Sequence, residues 1–264
     1  MKPILDFYKE EGIINKETYL KGSKEFDDIS MIKKYKINTA LFIFYRENLD
    51  LILDLNKMEE LYEYKNASNR NKCFVYDKKF VIAFSPLGCP SAGAMMEELG
   101  FMGITNFFAC GSAGQIDQNV NSKEFVLVDR AIRREGLSYH YLKPSLYVET
   151  DKDLTKFVEK FLKENNYNFN INTTWTTDAF YRETLPEIEK RIKQGAVCVE
   201  MECAGWAAVA KYRGYKFAQL LYFSDAVKQE GWGWHPSREE LNCSVIKLMI
   251  DCVSKFCDKK TKNK

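Results

Sequence analysis

Hydrophobic positions along this chain alternate between two periodicities, one close to 2 and one close to 3.6 residues. Thr39 to Phe44 (TALFIF) is a short β-prone run, and the stretch carrying Leu49, Leu51, Ile52, Leu53, Leu55, Met58 and Leu61 predicts a helix after it. Lys72 to Tyr76 and Phe80 to Phe84, separated by the polar Asp77-Lys78-Lys79, predict a hairpin leading into Pro86-Leu87-Gly88. Ser91 to Leu99 predicts a helix, with Gly100 and Gly103 to stop it. Ile104 to Cys110 predicts a buried strand that ends in Gly111-Ser112-Ala113-Gly114, and Phe125 to Ile132 predicts another. Leu154, Phe157, Val158, Phe161 and Leu162 recur at i, i+3, i+4, i+7 and i+8, which makes one apolar face on a charged helix. Ala196 to Met201 predicts a strand, Ala204 to Tyr212 a helix closed by Gly214, and Phe217 to Phe223 a strand. Ser237 opens a last helix, with Glu240 at capping-box spacing.

Strands alternating with helices predict the α/β class, with a central parallel or mixed sheet sandwiched by helices. No repeat, low-complexity segment or Pro/Gly-rich linker divides the chain. The reading is one domain over residues 37–257, preceded by a charged N-terminal extension (1–36) packed on it and followed by a flexible lysine-rich tail (258–264).

Composition narrows the function classes. With 264 residues, 45% hydrophobic and 29% charged, the chain has enough apolar content for a large core. A formal net charge of +2 gives no reason to expect a nucleic acid or an acidic partner. The N-terminus is broken by charges every few residues, unlike a secretory signal, and no apolar run approaches the ~18 residues of a membrane span. A soluble, cytoplasmic protein is expected. Eight cysteines without a CxxC, and only two histidines, predict reduced, buried thiols and no metal site.

In open α/β sheets, ligands bind where strands end, so the candidate chemistry is sought there. Gly111-Ser112-Ala113-Gly114 is either a tight turn or a cradle whose amides and Ser112 hydroxyl hold an anion. Val199-Glu200-Met201-Glu202 sets two carboxylates before a helix of small residues. Either one caps the helix and the other faces solvent, or a carboxylate accepts both hydroxyls of a vicinal diol. Asp225, after Phe223-Ser224, is either a general acid or a helix N-cap. The segment Thr176 to Thr184 offers loop aromatics, Phe180 and Tyr181, that either stack on a planar base or plug the loop onto the core. His140, between Tyr139 and Tyr141, is either structural or a ligand contact.

Taken in order, these segments resemble the nucleoside phosphorylase superfamily, which holds purine nucleoside phosphorylases, uridine phosphorylases and methylthioadenosine nucleosidases. The resemblance runs from about Thr39 to Val253. Gly88-Cys89-Pro90-Ser91-Ala92 with Glu97-Glu98-Leu99 is similar to the family's GxPSA helix. Gly111 to Gly114 is similar to its GTxGG turn, Val199 to Glu202 to its VEMEAA ribose motif, and Ser224-Asp225 to the SD of its purine-specific members. It implies a single-domain, three-layer αβα sandwich with a central mixed β-sheet. Met201 and Glu202 would hold the ribose, beside Glu200, with Glu202 on its hydroxyls. Ser112 and Gly111 would contact phosphate, and Arg70 would be lent to a neighbour's phosphate site. Phe180 would pack on the base, and Asp225, beside Ser224, would protonate or hydrogen-bond the purine N7.

Two departures stand out. The family's PGDPxR loop after the first strand is replaced by Phe44-Tyr45-Arg46-Glu47-Asn48, with Asn48 where an arginine is expected and Arg46 two positions away. Ala109 replaces the arginine that precedes the GTxGG turn. The resemblance therefore implies an enzyme that cleaves the N-glycosidic bond of a nucleoside, a purine one by Asp225. Phosphate would be co-substrate with no cofactor or metal, in a homodimer or a hexamer built as a trimer of dimers. The alternatives are a nucleosidase-type hydrolase using water and a non-catalytic nucleoside-binding member.

Overall fold

The computed structural model describes residues 9–22, 30–44, 52–65, 70–228 and 231–262. In chain order these hold α1 (Lys16–Gly22), α2 (Ser30–Tyr35), β1 (Thr39–Ile43), β2 (Met58–Lys65), β3 (Arg70–Tyr76), β4 (Phe80–Phe84) and α3 (Cys89–Phe101). Then come β5 (Asn106–Gln115), β6 (Phe125–Arg134), α4 (Ser138–Tyr141), β7 (Tyr147–Glu149), α5 (Lys152–Glu164) and β8 (Phe169–Thr177). The chain ends with α6 (Leu185–Lys193), β9 (Ala196–Glu200), α7 (Cys203–Arg213), β10 (Lys216–Lys228), β11 (Gly231–Trp234) and α8 (Arg238–Lys262).

All five residues of β1 and of β4 are buried, as expected of strands covered on both faces. β1 pairs in parallel with β4 on one side and with β5 on the other. Among the described residues eleven strands make one mixed sheet, ordered β11-β10-β6-β8-β9-β5-β1-β4-β3-β2, with β7 on β6. A further parallel pairing of β10 with β5 closes a ring through β5, β9, β8, β6 and β10. Helices cover both faces. Val245, Leu248, Met249 and Cys252 of α8 pack with Leu41, Ile82 and Phe108 in one buried cluster. Met95, Met96, Leu99, Trp206 and Val209 of α3 and α7 pack with Ala40, Phe42 and Phe107 in the other. This is the αβα sandwich with a central mixed sheet that the alternation and the resemblance predict.

Ahead of β1, Ile32 of α2 is buried in the cluster under α3, and the hydroxyls of Tyr19 (α1) and Tyr62 (β2) both donate to Glu98 of α3. At the other end α8 runs to Lys262, so helical backbone includes most of the lysine-rich end. All eight cysteines are free thiols, six of them buried. Among the described residues no helix is long and apolar enough to cross a membrane.

The predicted hairpin forms: Asp77 and Lys78 both have positive φ, 49° and 56°, and the Lys79 N–H donates to the Tyr76 carbonyl at 2.9 Å. Two positive φ values in a row match the right-handed twist of the paired strands. Elsewhere pattern and structure part. The predicted helix through Leu61 is instead a 3-10 turn (Leu55–Lys57), capped by Asp54, followed by β2. Antiparallel pairing with β3 overrides the helical propensity of Met58-Glu59-Glu60-Leu61. β8 has no apolar run to announce it, since its inner residues are the threonines 173, 174, 176 and 177 around Trp175. Arg46, Glu47 and Asn48 lie outside the described residues.

Candidate active site

The segment Gly111 to Gly114 is a strand and not a turn: β5 carries on to Gln115 because β10 pairs with it through this stretch, Leu221 opposite Gly111 and Tyr222 opposite Ser112. Gly114 is where the candidate residues converge. On one side it pairs with Asp225 of β10, and on the other with Val199 of β9. A Cβ on Gly114 would lie 3.1 Å from Asp225 Oδ2 and 3.2 Å from Val199 Cγ1, so the absence of a side chain lets the carboxylate lie against β5. Ser112 is half-buried two residues earlier.

Asp225 is not an N-cap, because β10 continues past it to Lys228. Its Oδ1 accepts the Ser224 hydroxyl at 2.6 Å and its Oδ2 accepts the Trp232 indole N–H at 2.8 Å. Ser224 is buried, and Trp232 comes from the exposed edge strand β11.

The two acids of the VEME segment divide the roles that the sequence leaves open. Glu200 serves the protein's own backbone: its Oε2 accepts the amides of Glu202 and Cys203 at 2.8 and 2.7 Å, and its Oε1 accepts the Thr176 hydroxyl at 2.5 Å. It thereby satisfies the otherwise orphaned N–H groups that open α7. Glu202 does not face solvent. It is 4% exposed, and its Oε1 accepts the Gly88 amide at 2.6 Å. Gly88 has φ +86°, a conformation suited to glycine that aims this amide across to α7 from the N-terminus of α3. Met201, between the two acids, is half-buried.

Phe180 leads a 3-10 turn (Phe180–Arg182) after β8. It is 48% exposed, with its ring 3.9 Å from that of Tyr181, so neither plugs the loop onto the core. Asp178, in the same segment, accepts the Gly136 amide at 2.8 Å. Arg70, by contrast, is exposed on β3, with β4 and β1 standing between it and β5. Within one chain it is not brought to Ser112. His140 is exposed on α4.

Three residues near the site carried no signal in the sequence. Buried Arg133 donates to Ser138 Oγ, Ser145 Oγ and the carbonyls of Leu142 and Lys143, bracing the segment that holds His140. Trp232 touches Asp225 from seven residues away. Burial pushes the Glu183 carboxyl up to about 7, with the charges of Asp225 and Glu187 adding to the shift.

The family model of the phosphorylase superfamily matches residues 46–246, well over half of the chain. This protein belongs to that superfamily. The guanosine phosphorylase of Halorubrum lacusprofundi is 28% identical to this superfamily member over 172 residues, which is 64% of this chain and 70% of that one. The DeoD-type purine nucleoside phosphorylase 1 of Shewanella oneidensis is 26% identical over 54% of this chain and 61% of its own. In fold, the purine nucleoside phosphorylase from Toxoplasma gondii solved with immucillin-H superposes with a TM-score of 0.71 at 16% identity, covering 84% of this chain and 92% of that one. The Helicobacter pylori MTAN gives 0.66 at 19%, covering 82% and 99%.

In this phosphorylase-superfamily site, burial holds the carboxyls of Glu200 and Glu202 above the ordinary carboxylate range, with Glu135 adding to the shift of Glu200 and Glu200 to that of Glu202. The native state therefore keeps protons that the unfolded chain has lost once pH passes the ordinary carboxylate range. Where the native state binds more protons, stability falls as pH rises. The denaturant midpoint should be lower at about pH 8 than at about pH 5, and Glu202→Gln should shrink that difference. A midpoint that rises over this interval would contradict the buried, protonated pair.

Proposed function

We propose that this enzyme cleaves the N-glycosidic bond of a purine nucleoside, with inorganic phosphate as nucleophile and no metal or organic cofactor. The observation that carries the reading is the convergence on Gly114, which sets Ser224 and Asp225 on one side of β5 and the strand leading to Glu202 on the other. Cleavage leaves the sugar electron-poor and the departing base electron-rich. Glu202 would hydrogen-bond the ribose hydroxyls and, in its ionised form, place negative charge beside the developing cation, with Met201 against the sugar and Glu200 holding the turn that positions both. Phe180 would pack on the base, and Ser224 and Asp225 would meet N7. Ser112, with the backbone at Gly111, would contact phosphate. The guanosine and purine nucleoside phosphorylases among the relatives support a purine substrate.

Arg70 fits this scheme only from outside. Because β1 and β4 stand between it and its own Ser112, we assign it to the phosphate site of a partner subunit, in a homodimer or a hexamer built as a trimer of dimers. A second reading has its own support: Ala109 is fully buried where an arginine is expected, removing one guanidinium from the anion end. A site with fewer cations suits water. Incubating the protein with inosine in buffers with and without phosphate decides between them. Phosphate-dependent release of hypoxanthine, abolished in great part by Arg70→Ala, is the expected result. Equal release without phosphate would replace the phosphorylase by a hydrolase, and binding without release would remove catalysis altogether.

A further inference from the structure

Asp225 and Trp232 stand on neighbouring antiparallel strands, β10 and β11, in a register that sets Asp225 opposite Trp234 and Val227 opposite Trp232. Side chains two apart on a strand share a face, so these four residues stand on one face and Trp232 is the diagonal neighbour of Asp225, a separation that a long aromatic side chain spans. The indole N–H makes that crossing and donates to Asp225 Oδ2 at 2.8 Å. Although Trp232 and Trp234 are each 57% exposed, their rings are braced. They meet edge to face with centroids 4.7 Å apart, and the guanidinium of Arg238, at the start of α8, lies 4.2 Å from the centre of the Trp234 ring. Beyond them the His235 amide donates to the Ser224 carbonyl at 2.8 Å, and His235 Nε2 lies 3.2 Å from Ser122 Oγ in the loop between β5 and β6. The strand that carries Trp232 is thus tied at this end to the backbone beside Asp225.

The Ser224 hydroxyl holds the other oxygen, Oδ1, at 2.6 Å. The last torsion of an aspartate is broad and nearly two-fold, so a single bond from the adjacent residue leaves the plane of the carboxyl free to turn. A second bond, to the other oxygen and from a different strand, fixes it. Each bond takes one acceptor site, and a carboxyl has more than two, so the group keeps room for a further partner.

We propose that Trp232 is a positioning residue for glycosidic cleavage: its indole N–H fixes the plane of the Asp225 carboxyl, so that this group meets N7 of a bound purine in one orientation. The inference deepens the reading of Asp225 given above and rests on it. Trp232 acts on the rate through its partner. The contact with N7 strengthens as the base takes up the electron pair of the breaking bond, so loss of orientation falls on turnover more than on affinity.

Trp232→Phe keeps an aromatic ring beside Trp234 and removes the N–H. On inosine it should lower kcat about tenfold and leave KM within about twofold. On 7-methylinosine, whose N7 bears a methyl group and has no lone pair for Asp225, it should lower kcat by less than about twofold. Equal loss on the two nucleosides would mean that the ring only supports the fold around the site, and an unchanged kcat on inosine would remove the role; either result overturns the inference. The bond itself is read without turnover, by NMR of the indole N–H groups. The resonance that vanishes in Trp232→Phe should shift, and exchange faster with solvent, in Asp225→Ala. A resonance that does neither would show that the bond does not form and overturns the inference as well. Asp225→Asn tells this failure from a failure of the reading beneath it. Turnover lost in Asp225→Asn and kept in Trp232→Phe sinks the positioning role alone, whereas full inosine turnover in Asp225→Asn would mean that Asp225 is not the group at N7 and sinks both.

Discussion

Asp225→Asn should lower the turnover of a purine nucleoside by roughly two to four orders of magnitude while leaving its binding within about threefold. Asparagine is nearly isosteric and still accepts through its oxygen, so the bond from either Ser224 or Trp232 can survive and the local strand pairing is kept. What it cannot do is take up and hand over a proton. The loss therefore belongs to kcat, because the proton moves only as the glycosidic bond breaks. Measuring kcat and KM for inosine across pH separates the cases. A variant that loses affinity and turnover in equal proportion would show that Asp225 is a binding group, and one that loses neither would remove it from the site.

The second large effect is on stability. Trp206→Ala should cost about 3–5 kcal/mol of unfolding free energy, the range for deleting a fully buried tryptophan. Trp206 is 0% exposed, stacked on Phe42 with ring centroids 5.0 Å apart and planes 4° from parallel, and tilted against Phe217 at 5.7 Å. Its indole N–H donates to the carbonyl of Ala92 at 3.1 Å, joining α7 to α3. Truncation opens a cavity between helix and sheet and leaves that carbonyl without its donor. Trp206→Phe should recover much of the packing and none of the hydrogen bond, giving a midpoint between wild type and alanine in denaturant unfolding. An alanine variant within about 1 kcal/mol of wild type would mean that the site collapses around the hole.

Much of the fold was legible because burial and periodicity coincide in its central elements. β1, β4 and the first half of β5 are unbroken apolar runs, and α5 repeats its apolar residues along one face. The misreadings share one cause, which is pairing between distant strands. β2 is made of residues with good helical propensity and is a strand because β3 offers it an edge. Gly111 to Gly114 has the composition of a turn and is extended because β9 and β10 flank it. β8 buries threonines, whose polarity hides them from an apolar count. In the site, the quoted motifs located Glu202 and Asp225 because they are contiguous in sequence. Trp232 reaches Asp225 from another element, and local pattern carries no trace of such a neighbour. The split between Glu200 and Glu202 was equally invisible: both are acids next to the same methionine, and only the direction of each side chain assigns one to the helix start and the other to Gly88.

The Gly88 to Glu202 bond spans 114 positions, and so does the Trp206 to Ala92 bond one turn further along α7. Closing loops of that length has an entropy cost that local helix formation does not face, so contacts of this separation arrive late and set the pace of folding. The carboxylate proposed to grip the sugar thus acquires its orientation only when two remote halves of the polypeptide have met. A nascent or truncated chain can form α3 or α7 alone and still lack a sugar-binding surface. Competence to bind is in this sense a property of the whole span from Gly88 to α7.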